Sequence, residues 1–150
     1  MTDMNPKYNE DVYGWAIHTA QLLRINKMDE VDFDNIIEEI ESLGRSEKNG
    51  LTSSLRLIIS HLLKWQYQPE RRTPSWKGTI STHRMQAEFY LEDNPSLKSK
   101  IDDILVKAYK RAVIEAANDT LMEDSVFPKE CPYSFEEIMS DEFYPQSKLS

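Results

Sequence analysis

The chain is poor in the residues that make tight turns, covalent staples and membrane spans. Its 150 residues include four glycines, seven prolines and one cysteine. So few turn formers favour long regular elements over many short ones. Cys131 has no second cysteine to pair with, which fits a reducing compartment. The longest uncharged run in the apolar middle is Leu57 to Leu63, far short of the ~20 residues a membrane helix needs. The opening MTDMNPKYNED has no basic segment followed by an apolar one, so no secretory signal is expected. These absences predict a soluble, cytoplasmic chain without a membrane partner. The length predicts one domain over 1–150, its core at about 8–118 and a tail at 119–150 packed on it.

Charge is plentiful but unevenly spread. The formal net charge is −8, which argues against general nucleic-acid binding. Residues 1–44 hold ten acids and three bases, residues 45–90 three acids and eight bases, and residues 91–150 thirteen acids and seven bases. A basic middle between acidic flanks fits either neutralisation between neighbouring helices or an anion or acidic-partner site.

What is present is helical periodicity. Val12, Trp15, Ala16, Thr19, Ala20, Leu22 and Leu23 recur mostly at three- and four-residue steps, predicting a helix over 11–25 with Asn26 as its stop. Asp32 can cap a second helix, with Val31 and Ile36 as a hydrophobic staple. Ile36, Ile37, Ile40 and Leu43 form one apolar stripe, and Leu51, Leu55, Ile58, Ile59, Leu62 and Trp65 another. Gly44 and Gly50 lie between them. No proline interrupts, so one helix over about 32–67, bent near 44–50, is preferred to two. Pro69 and Pro74 end it, and Thr73 with Pro74 starts a third helix that runs to about Glu92. Its inward candidates are Trp76, Ile80, His83, Ala87 and Leu91. Asn94-Pro95 repeats that start device before a fourth helix with an apolar stripe from Leu97 to Ala116. In the tail, Ser134 to Glu137 reads as a capping box for a short helix over 135–140. The expected fold is an all-α bundle of four main helices with an irregular C-terminal tail.

Familiar catalytic patterns are missing. The glycines build neither a phosphate loop nor a dinucleotide fingerprint. His18, His61 and His83 have no glutamate three residues before them, as a di-metal bundle would require. They fall on three predicted helices, so a zinc site, and with it a metal-dependent hydrolase, needs them to converge with supporting hydrogen-bond partners. Asp34, Glu38, Glu41, Arg45 and Lys48 step along one helical face, acids first, as the helix dipole favours, which reads as a solvated face. No cofactor is implied.

One region combines recognition chemistries. His61, Trp65, Tyr67, Gln68, Arg71 and Arg72 surround a helix–loop–helix corner, followed by Trp76, Lys77 and Arg84. Arginine stacks on indole and grips carboxylate or phosphate in bidentate fashion. The same residues also suit a corner locked by aromatic packing.

These strings resemble a known family. Tyr13-Gly-Trp15, the run Asn35 to Glu47, His61 to Arg72 with Ser75-Trp76, Leu91 to Leu97, Ala108-Tyr109 and Phe127 to Tyr133 are similar to the bacterial group called domain of unknown function twenty-nine. The resemblance covers nearly the whole chain. It implies an α-helical single domain and a bacterial cytoplasmic setting, and it carries no established enzyme activity. His61 falls within its motif, whereas His18 and His83 match no histidine of it. The expectation is a non-catalytic interaction module with a protein partner or a second copy of itself. The alternative is a small anionic or nucleotide-like ligand at the 61–84 corner, with Arg71, Arg72, Lys77 and Arg84 supplying charge and Trp65 and Trp76 stacking.

Overall fold

A computed structural model describes residues 4–148. The elements are α1 (Val12–Arg24), α2 (Phe33–Tyr67), α3 (Pro74–Asp93), α4 (Ile101–Thr120) and α5 (Phe135–Met139), joined by short 3₁₀ turns. No strand occurs among the described residues. The all-α architecture, with four main helices and a short C-terminal one, is as expected. The chain groups into two compact units, Met1–Arg45 and Ser46–Ser150.

In the first unit, local chemistry sets the helix ends. The Asp11 carboxylate accepts from the Gly14 amide at 2.9 Å, and Asn26 takes the left-handed conformation (φ 61°) that stops α1. Trp15, Thr19 and Leu22 form the buried stripe of α1. Tyr8 meets Trp15 edge-on at 4.9 Å and donates its hydroxyl to Glu39 of α2. Asp32 caps α2 by accepting from the Asn35 amide at 3.3 Å.

α2 is a single helix of 35 residues, unbroken at Gly44 and Gly50. The expected apolar stripe at its start does not become core: Ile36 is half-buried, and Ile37, Ile40 and Leu43 are 52, 64 and 67% exposed. The periodicity there is genuine, but these side chains stay largely exposed.

In the second unit, Leu51, Leu55, Ile58, Ile59, Leu62 and Leu63 are fully buried. They pack with Ile80 and Ala87 of α3, Ile104, Ala108, Ala112 and Ala116 of α4, and Ile138 of α5. The small side chains Ala108, Ala112 and Ala116 of α4 are fully buried in this core. Gly50 has a specific reason: a Cβ there would run into the Tyr90 ring. Thr73 Oγ1 accepts from the Trp76 amide at 3.2 Å and starts α3. The analogous start at Asn94-Pro95 is a correction. Those residues open a 3₁₀ turn over Pro95–Lys100, and α4 begins only at Ile101. The Asn94 amide is spent elsewhere, donating to Glu47 at 2.9 Å and to the Tyr90 carbonyl at 3.0 Å.

The C-terminal segment is tied down by long-range contacts. Phe127, Tyr133 and Ile138 are buried, and the Tyr133 hydroxyl donates to Gln66 at 2.7 Å. The Tyr109 hydroxyl donates to the Pro128 carbonyl. Ser134 and Glu137 form the capping box of α5.

Candidate functional site: the aromatic and basic corner of α2 and α3

The corner forms because α2 stops at Tyr67 and Pro74 restarts the chain as α3, with one 3₁₀ turn over Pro69–Arg71 between them. Arg72 closes the end of α2 by donating from Nε to the Trp65 carbonyl at 2.8 Å. Such a bond satisfies one of the carbonyls that a helix C-terminus leaves unpaired. The same guanidinium lies 4.6 Å from the Trp65 ring centroid. Trp65 also packs on Tyr144 from the C-terminal segment, centroids 4.9 Å apart. Lys77 places its ammonium 5.7 Å from the Trp65 ring and 5.1 Å from the Tyr144 ring.

Arg84 lies two turns further along α3, with only 2% of its surface exposed. Its Nε donates to the Ile138 carbonyl and its Nη2 to the Phe143 carbonyl, both at 2.8 Å, and its guanidinium lies 5.4 Å from the Tyr144 ring. Burial holds its pKa below the ordinary arginine value, while Tyr144 and Asp141 favour the charged form.

Four of the nine predicted residues thus gather around the Trp65–Tyr144 pair, namely Trp65, Arg72, Lys77 and Arg84, while a fifth, Trp76, faces Lys64. The Lys64 ammonium lies 5.2 Å from the Trp76 ring and donates to Asp119 at 3.1 Å. The other four face different partners. Tyr67 packs on Phe127 at 4.9 Å. Gln68 donates to the Thr120 carbonyl at 3.3 Å and accepts from Arg71 at 3.0 Å. Arg71 is exposed. His61 bonds through Nδ1 to the Leu57 carbonyl at 2.8 Å, and burial lowers its pKa.

Sequence reasoning missed Tyr144, Lys64 and Asp119. Tyr144 is one of several aromatics near the C-terminus, with Phe127, Tyr133, Phe135 and Phe143, and nothing local says which ring meets Trp65. Lys64 follows Leu63 on the buried face of α2 and was hidden by its neighbours.

Two features of the corner stand out electrostatically. Arg71, Arg72, Lys77 and Arg84 form no ion pair among the described residues. In addition, Arg72 Nη2 and Arg84 Nη1 are buried with no hydrogen-bond partner among the described residues. A separate groove of about 670 Å³ runs along α4 past Tyr109, Val113 and Cys131, and none of the nine residues lines it. Among the described residues, no group of three or more His, Cys, Asp or Glu is placed to hold a metal ion. No helix of the described residues is long and apolar enough to cross a membrane.

A family model described as "Domain of unknown function DUF29" matches residues 7–144. No curated protein and no solved structure gives a significant match.

Proposed function

We propose that this chain, which belongs to the domain-of-unknown-function family DUF29, is a non-catalytic interaction module that recognises macromolecules through the first half of α2. One observation carries the reading. Phe33, Ile37, Ile40, Gly44, Leu51, Leu55, Ile58 and Leu62 follow a single seam along one helix, because steps of three and four residues return to the same face. From Leu51 onward that seam is sealed in the core, whereas Phe33, Ile37 and Ile40 are bare. Contiguous apolar exposure rimmed by charge is characteristic of protein-binding surfaces. The rim here is Asp34, Glu38 and Glu41.

The test is affinity capture from native cells with the wild type and with an Ile37→Ser/Ile40→Ser variant that keeps its helical spectrum. Loss of captured proteins in the variant supports the reading. Identical capture by both proteins would sink it.

A second reading is favoured by the cations that lack carboxylate partners. The corner would take a small anion bearing phosphate or carboxylate, with Arg72 and Lys77 as its contacts and the half-buried Trp65 ring as its floor. Inorganic phosphate and nucleotides would then raise the melting temperature of the wild type and not of Arg72→Ala. A flat response to the whole series removes this reading.

A further inference from the structure

We infer that the corner of α2 and α3 is a groove for an extended peptide in which acids precede an aromatic residue and a proline, and that residues 143–148 of this chain occupy it in cis. The inference is independent of the α2 surface proposed above and competes with a small anion for the same residues. The seated segment itself defines what the groove accepts.

After α5 the chain leaves regular structure, yet backbone bonds hold it at both ends. The Phe143 carbonyl accepts from Arg84 Nη2 at 2.8 Å, and the Lys148 amide donates to the Gln66 carbonyl at 2.9 Å. Gln66 lies in the last turn of α2, where carbonyls have no partner within the helix. Between these bonds Tyr144 lays its ring against Trp65 at 4.9 Å, with the Lys77 ammonium 5.1 Å and the Arg84 guanidinium 5.4 Å from the same ring. Pro145 follows and is buried. An aromatic anchor among an indole and two cations, with main-chain bonds on either side, is a means by which grooves bind extended peptides.

Charge selects the residues ahead of the ring. The cations of the corner have no ion pair among the described residues. Asp141 and Glu142 precede Phe143, and Asp141 is near enough to Arg84 to favour its charged form. Burial separates this segment from the rest of the C-terminal region. Phe127, Tyr133 and Ile138 are buried, whereas Phe143 and Tyr144 are half-buried and Glu142 and Gln146 are exposed. Segments with few buried apolar contacts open locally at far lower free energy than a core. A tethered segment nevertheless competes at millimolar effective concentration. A free peptide of the same chemistry therefore meets a groove that is mostly filled, and its apparent affinity falls with the open fraction.

The test is a fluorescein-labelled copy of residues 141–148, titrated with the full chain and followed by anisotropy. Tyr144→Ala in the full chain weakens the competing cis segment and leaves the groove intact, so it should bind the peptide roughly tenfold more tightly than the wild type. The same substitution in the peptide should abolish binding. Lys77→Ala added to Tyr144→Ala in the chain should weaken binding roughly threefold. In the wild type, millimolar unlabelled peptide should quicken hydrogen exchange at the Lys148 amide and leave the amides of the α2, α3 and α4 core unchanged. No binding to a Tyr144→Ala chain that keeps the wild-type helical spectrum overturns the inference, as does unchanged exchange in the wild type. Equal binding by the substituted peptide overturns the aromatic anchor. A thermal shift with inorganic phosphate and no response to the peptide overturns the inference in favour of the small anion.

Discussion

Arg84 and Ile138, 54 residues apart, are joined by a 2.8 Å bond from a buried guanidinium to a backbone carbonyl. Through this bond and its companion to Phe143, a side chain of α3 holds the segment on either side of Ser140. Charge-assisted bonds of this kind are about twice as strong as neutral ones. Replacing Arg84 by methionine keeps most of the volume but leaves two carbonyl oxygens without their donor. Arg84→Met is expected to cost about 2–4 kcal/mol in urea denaturation. Hydrogen exchange should quicken first in α5. An unchanged midpoint would show that water satisfies those carbonyls equally well.

The two glycines of α2 should respond in opposite ways to alanine. At Gly44 an added Cβ meets nothing within 4 Å, so Gly44→Ala should stabilise by up to about 1 kcal/mol through helix propensity. At Gly50 the added carbon would displace the Tyr90 ring, and the same substitution should be neutral or destabilising. Equal thermal shifts for the two variants would contradict this account of Gly50.

His61 predicts a pH dependence of stability. Its folded pKa lies below the ordinary 6.5, first because burial disfavours the cation. Below pH 6.5 the unfolded chain therefore binds a proton that the folded chain resists. This contribution to stability is complete above pH 6.5 and declines as the pH falls towards the folded pKa. Denaturation midpoints measured from pH 8 to 5 should fall less steeply for His61→Gln than for the wild type. Parallel curves would assign the acid sensitivity to other groups.

Trp65 and Arg72 should be energetically coupled. The indole is half-buried, with Arg72 and Tyr144 both within 5 Å of its ring. Trp65→Ala is expected to cost about 3 kcal/mol and Arg72→Ala about 1–2 kcal/mol. The double variant should cost less than the two together by roughly 0.5–1.5 kcal/mol. Strict additivity in a double-mutant cycle would mean that the stacking contributes nothing.

The sequence by itself determined where the helices begin and end. Asn26, Asp32, Thr73-Pro74 and the Ser134–Glu137 box act on backbone groups within four residues of themselves, so they can be read without knowing the fold. Pairing of apolar steps likewise marked the faces of α2 and α4. Asn94 shows the limit of that reading: a capping residue before proline opened a 3₁₀ turn, and its amide went to Glu47 instead. The tertiary structure alone decided which faces are covered. The stripe at 36–43 and the stripe at 51–62 follow the same periodicity, yet the second is packed in a core with α3, α4 and α5 while Ile37, Ile40 and Leu43 of the first are exposed. It also decided that Arg84 is a buried anchor rather than an exposed cation, because its acceptors lie more than fifty residues away. Periodicity is a property of one helix, whereas burial belongs to at least two.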